Sequence, residues 1–137
     1  MTAAPVGREA QRQMEVHVKV VVTATGEGLD AQVDPRFGRA AAFVVVDLES
    51  GESFSIDNAA GVSAMGGAGV QAAEKVSRLG AGALITGHCG PNAFRTLNAA
   101  GVEIYIGANG TVAEAVEAFE NGQLSKAGAP DVGGHWM

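Results

Sequence analysis

Apolar residues along this chain come in short blocks, and the spacing inside each block predicts an element. Val16–Ala24 (VHVKVVVTA) is dominated by β-branched residues and reads as a first strand, central and buried on both faces. Thr25–Arg39 carries Gly, Asp and Pro, which break regular structure. Ala42–Leu48 (AFVVVDL) predicts a second strand and Ser53–Ile56 (SFSI) a third, and the short polar connection between them makes a hairpin. Gly67–Leu79 predicts a helix with Val70, Ala73, Val76, Ser77 and Leu79 on its inner stripe and Gly80 past its end. Ala83–Thr86 is a fourth strand, and Pro91 opens a second helix that runs to about Ala99 and stops at Gly101. Val102–Ile106 is a fifth strand. Thr111 and Glu114 form a capping box for a third helix, which turns Val112, Ala115, Val116 and Phe119 inward and ends at Gly122.

The order β-β-β-α-β-α-β-α places three strands in an antiparallel meander, followed by right-handed parallel crossovers. The most economical sheet is five-stranded and mixed, in the order 3-2-1-4-5, with strand 2 antiparallel to the rest. This is the three-layer α/β topology of the ribonuclease H-like group. A plain doubly wound sheet is the alternative, and three consecutive strands argue against it. Residues 1–14 are polar and patternless and read as a flexible extension. Residues 15–124 form a single domain, and 125–137 a loosely held tail.

Open α/β sheets bind ligands beyond the carboxyl ends of their parallel strands. Here the segments leaving strands 1, 3, 4 and 5 are Thr25–Gly38, Asp57–Gly67, Gly87–Pro91 and Gly107–Gly110. Because strand 2 runs backwards, Phe37-Gly38-Arg39 arrives at the same end. The glycine-rich segments therefore converge on one rim.

Composition narrows the partners. A formal charge of −6, with nine scattered Lys and Arg residues and no basic run, disfavours nucleic acid. The apolar runs are too short to span a bilayer. The first residues lack the apolar centre of a signal peptide, and a lone cysteine, Cys89, precludes an intrachain disulfide framework. Together these point to the cytoplasm.

The expected rim holds a particular chemical mix. His88 and Cys89 are candidate ligands for iron or another transition metal. The N–H groups of Gly90, Asn92 and Ala93 lie at a helix start and suit an anion, as do those of Gly66, Gly67 and Gly69 at another. Arg39 offers a charge-assisted fork, and Asn109 sits in the last glycine turn. Each has a plainer reading. Cys89 fits a small buried hydrophobe, His88 a turn cap and Arg39 a salt-bridge partner. The Gly-Gly-Ala-Gly run fits close helix packing and lacks the Gly-Lys-Ser/Thr of a phosphate loop. Asp30 and Asp34 suit a cation or an Asx turn about equally. His17 reads as structural, and His135 and Trp136 belong to the tail.

Several segments in order resemble the dinitrogenase iron–molybdenum cofactor biosynthesis family. They are Gly28-Leu29-Asp30, Val33-Asp34-Pro35-Arg36-Phe37-Gly38-Arg39, Gly66-Gly67-Ala68-Gly69, Ile85-Thr86-Gly87 with Gly90-Pro91-Asn92-Ala93-Phe94, and Gly107-Ala108-Asn109-Gly110-Thr111-Val112. The resemblance spans roughly 16–124. It implies a ribonuclease H-like fold and a non-catalytic carrier or chaperone of an iron–molybdenum cofactor or iron–sulfur precursor. The implied partners are the metal cluster and the proteins that donate and accept it. Many stand-alone members have glycine where this chain has Cys89. The competing readings are a metal-free interaction or regulatory module and a two-metal nuclease. The last is disfavoured because strand 1 (KVVVT) has no acid and Asp47 lacks an acidic partner.

Overall fold

A computed structural model of the chain describes residues 19–58 and 68–128. In chain order the elements are β1 (Lys19–Ala24), β2 (Ala42–Asp47), β3 (Ser53–Asp57), α1 (Ala68–Arg78), β4 (Ala83–Ile85), α2 (Pro91–Ala99), β5 (Glu103–Ile106), α3 (Val112–Glu120) and β6 (Ser125–Lys126). They form one mixed sheet in the order β3-β2-β1-β4-β5-β6. The five-strand order read from the sequence is reproduced, with β2 antiparallel to β1 and β3, and β4 parallel to β1 and β5.

The strand count is corrected to six. Ser125–Lys126, read as tail, pairs antiparallel with Tyr105 and Ile106. Both residues of β6 are exposed, so no apolar periodicity marks it. It is held by the Ala127 amide on the Ile104 carbonyl (2.8 Å) and by Lys126 Nζ at 3.2 Å from Glu103 Oε2.

The continuous apolar runs of β1 and β2 follow from burial on both sides. Val21, Phe43, Val45, Leu84 and Ile104 face a core shared with Ala72, Ala73 and Val76 of α1 and Ala93 and Leu97 of α2. Val20, Val22, Val44, Val46 and Ile85 face the opposite core with Val112, Ala115 and Val116 of α3. Alternate residues thus serve alternate layers. Each fully buried Val, Leu or Ile stabilises the fold by about 1.5–3 kcal/mol relative to exposure. In α1 the stripe shifts slightly from expectation: Ala72 is fully buried, whereas Val70, Ser77 and Leu79 are half-buried.

The helix ends follow their local chemistry. α2 stops in a Schellman motif, in which the Gly101 amide donates to Asn98 O and the Val102 amide to Leu97 O. Gly101 has φ 81°, which suits glycine, and Val102 and Leu97 pack in the same core. At the start of α3, Thr111 Oγ1 accepts from the Glu114 amide (3.1 Å), while Glu114 Oε1 accepts from the Thr111 amide (2.9 Å). The capping box is present as expected.

Candidate functional site

The segment between β1 and β2 is a strap across the carboxyl ends of the parallel strands. Its first half pairs back on β1, with the Thr25 amide donating to Gln32 O and the Asp34 amide to Thr23 O, both at 2.9 Å. Its outer part caps α3. The Val112 amide donates to Ala31 O (2.8 Å) and the Ala113 amide to Leu29 O (3.0 Å). With the capping box, the first four N–H groups from Thr111 to Glu114 are all engaged. Its inner part reaches the β4–α2 turn, where the His88 amide donates to Pro35 O (2.8 Å) and Arg36 forms a parallel bridge with His88. A Cβ on Gly87 would lie 2.7 Å from both Pro35 Cα and Cβ, so the strap and this turn touch backbone to backbone.

Buried hydroxyls fasten the strap from below. Thr23 Oγ1 lies 2.7 Å from Asp34 O and 2.9 Å from Thr86 Oγ1. One hydroxyl proton serves the carbonyl, so Thr86 supplies the proton of the second contact. Asp34 forms an Asx turn, its Oδ1 accepting the Arg36 amide at 3.0 Å, and Arg36 Nε lies 3.6 Å from the same oxygen. Of the two readings open for Asp34, the turn is the one observed. Asp30 is exposed, and among the described residues no group of three or more His, Cys, Asp and Glu side chains could hold a metal ion. Asp47 is likewise a turn residue, accepting from the amides of Glu49 and Ser50.

The predicted site residues separate by depth. His88 is half-buried on the rim, whereas Cys89 is fully buried among Phe37, Ala93 and Leu97, with Sγ 3.7 Å from Gly90 O. Adjacent side chains on an extended segment point apart, and here one goes outward and one into the core. Arg39 is half-buried between Phe37 and Ala40, which share that core with Cys89. Its flanking carbonyls, Gly38 O and Ala40 O, accept from Asn58 Nδ2 at 3.4 and 2.8 Å. Asn92 is exposed, and its Oδ1 accepts from Arg95 Nη2 at 2.7 Å. Gly69 is buried in the first turn of α1, while Gly66, Gly67, His17, His135 and Trp136 lie outside the described residues. Asn109 lines a separate open cleft of about 380 Å³, bounded by Ala108, Ala115, Ala118 and Leu124.

The start of α2 differs from that of α3. Its N-cap is Gly90, with no side-chain hydrogen bond, and Pro91 at the first position has no N–H. Among the described residues no side chain hydrogen-bonds to this positive end of the helix dipole. Arg36 stands beside it as the bridge partner of His88, its side chain 52% exposed. Sequence reasoning took Arg39 from this segment and passed over Arg36. The available signal was Asp34-Pro35-Arg36, since an Asx turn closing on residue 36 presents that side chain outward. Among the described residues no helix is long and apolar enough to cross a membrane.

Residues 18–122 match the model of the family described as dinitrogenase iron–molybdenum cofactor. The apo form of the orange protein from Desulfovibrio gigas superposes with a TM-score of 0.82 at 44% identity, over 85% of this chain and 98% of that one. A candidate NifB protein from Thermotoga, solved by NMR, gives a TM-score of 0.70 at 36% identity over 80% and 92% of the two chains. An uncharacterized protein of Methanocaldococcus jannaschii is 30% identical over 98 residues, covering 69% of this chain and 82% of the relative. On the extent of the family match, the ordered glycine turns and the sheet that gathers them, this chain belongs to the dinitrogenase iron–molybdenum cofactor family.

Proposed function

We propose that the protein is a non-catalytic carrier that holds an anionic iron–molybdenum cofactor or a related iron–sulfur precursor at the rim and passes it from a donor to an acceptor protein. The observation that carries this reading is the start of α2, where no side chain of the described residues makes a capping hydrogen bond. Beside it stand His88 and Arg36, while the neighbouring start of α3 is closed by the strap and the capping box. A helix start without a side-chain cap, one imidazole and one guanidinium suit a delocalised anion with few covalent ligands. Few ligands keep the cargo exchangeable, as a carrier requires. Gly90 is the N-cap of that helix. The half-buried Arg39 and the Gly66, Gly67 and Gly69 of the family pattern are further candidates for contact with the anion. Asn92 and Asn109, both exposed, are further candidates for polar contacts to it.

His88 is the candidate metal ligand with access to the surface. Cys89 contributes through its core packing and reaches the cargo only if the turn opens. Anaerobic reconstitution with iron, sulfide and molybdate tests the reading through charge-transfer absorption. His88→Ala is expected to lower cluster retention several-fold and Cys89→Ala to change it little. A protein that acquires no absorption band under these conditions refutes the proposal.

The burial of Cys89 and the lack of a three-ligand group among the described residues favour a second reading, a metal-free regulatory module on the same fold. Metal analysis of anaerobically purified protein separates the two.

A further inference from the structure

Among the described residues one carboxylate, that of Asp34, is buried, and it has more charge than its visible task requires. Asp34 is buried, its side chain only 7% exposed, and its backbone is committed on both sides to Thr23. Among the described residues its carboxylate meets only Arg36, through the amide at 3.0 Å and Nε at 3.6 Å. The turn alone does not explain a charge, since an Asn oxygen accepts the same amide equally well. A buried carboxylate is unfavourable unless it is paired, and this pairing is a single long contact to a half-exposed guanidinium rather than a two-pronged one.

We propose that Asp34 is a positioning residue that also restrains the affinity of the rim. It holds Arg36 beside His88 and sets one negative charge against the anion site. A negatively charged cargo is then oriented by Arg36 but bound loosely enough to be handed on. This rests on the carrier reading above and assigns to Asp34 the setting of its strength. Two effects of the carboxylate oppose each other. Fixing the guanidinium favours binding, and the negative charge opposes it. The Asx turn persists without the charge, so the charge is the larger lever on a multiply charged ligand.

Tetrathiomolybdate, a stable dianion with strong visible absorption, serves as the probe. It is titrated anaerobically into the full chain as wild type, Asp34→Asn and Arg36→Gln, at low and at physiological ionic strength. Asp34→Asn is expected to tighten binding by roughly 3- to 10-fold, the effect of removing one charge several ångströms from the ligand at the dielectric of a protein edge. The gain shrinks with added salt. A purely structural Asp34 gives the opposite sign, weaker binding with little dependence on salt. Asp34→Ser keeps an oxygen for the turn and carries the same expectation should Asp34→Asn lose its cooperative melt. Arg36→Gln weakens binding. If wild type binds and Arg36→Gln weakens it, yet neither Asp34 variant binds tighter, the inference fails and the carrier reading stands. If no variant binds, both fail.

Discussion

Gly87 is the point at which the strap and the β4–α2 turn are closest, and Gly87→Ala probes that closeness directly. Two effects compete. Alanine narrows the unfolded ensemble, which stabilises by about 0.4–1 kcal/mol where the native backbone accepts it. Against this, the added Cβ meets Pro35 Cα and Cβ at 2.7 Å and Pro35 O at 2.9 Å. These are backbone and ring atoms that cannot rotate away. Relief requires the strap to lift, and overpacking of this kind costs about 1–3 kcal/mol. The lift also stretches the 2.8 Å bond from the His88 amide to Pro35 O. The net expectation is a loss of about 1–2 kcal/mol, or about 5–10 °C in Tm for a domain of this size. Urea and thermal unfolding measure the loss. Amide exchange at His88 should rise more than at Val21, in the sheet centre. A Gly87→Ala protein as stable as wild type, with His88 still protected, refutes the close approach on which the rim is built.

Further tests address other parts of the molecule. Thr111→Ala removes half of the capping box and is expected to cost about 1 kcal/mol by chemical denaturation, with exchange at the Glu114 amide rising first. Tyr105 is the only tyrosine, so absorbance at alkaline pH reports it alone. Burial, its hydrogen bond to Glu103 and the nearby Glu103 charge push its phenol up from the ordinary 10 to about 12. A folded value above the unfolded one means that this contribution to stability is complete below about pH 10 and is lost as pH rises towards 12. Glu103→Gln should lower the midpoint, and an unchanged midpoint contradicts the assignment. Cys89, being fully buried, should react with a thiol reagent only at the rate of opening or unfolding, and prompt labelling of native protein contradicts its place in the core.

Most of the sheet was legible because its signals are local or topological. The β-branched runs of β1 and β2, the Glu49–Glu52 turn and the three helices follow from periodicity and caps. The strand order follows from the hand of crossovers. β6 was not legible, because two exposed residues paired through the backbone leave no apolar pattern. The rim was legible as a place but not in depth. Strand order brings Thr25–Arg39 and Gly87–Pro91 to one end, yet only packing decides that His88 stays near the surface while Cys89 turns inward. Nor does spacing reveal that the carbonyls of Leu29 and Ala31 close α3. That closure distinguishes one helix start from the other.

The reversal at β2 has a practical corollary at the far end of the sheet. The connections there are the hairpin stapled by Asp47 and the glycine-marked stops after α1 and α2, near Gly51, Gly80 and Gly101. All three glycines are exposed. A tag, surface anchor or fused reporter attached at the hairpin would leave the opposite rim facing solution, so immobilised protein could be screened against candidate ligands in a defined orientation.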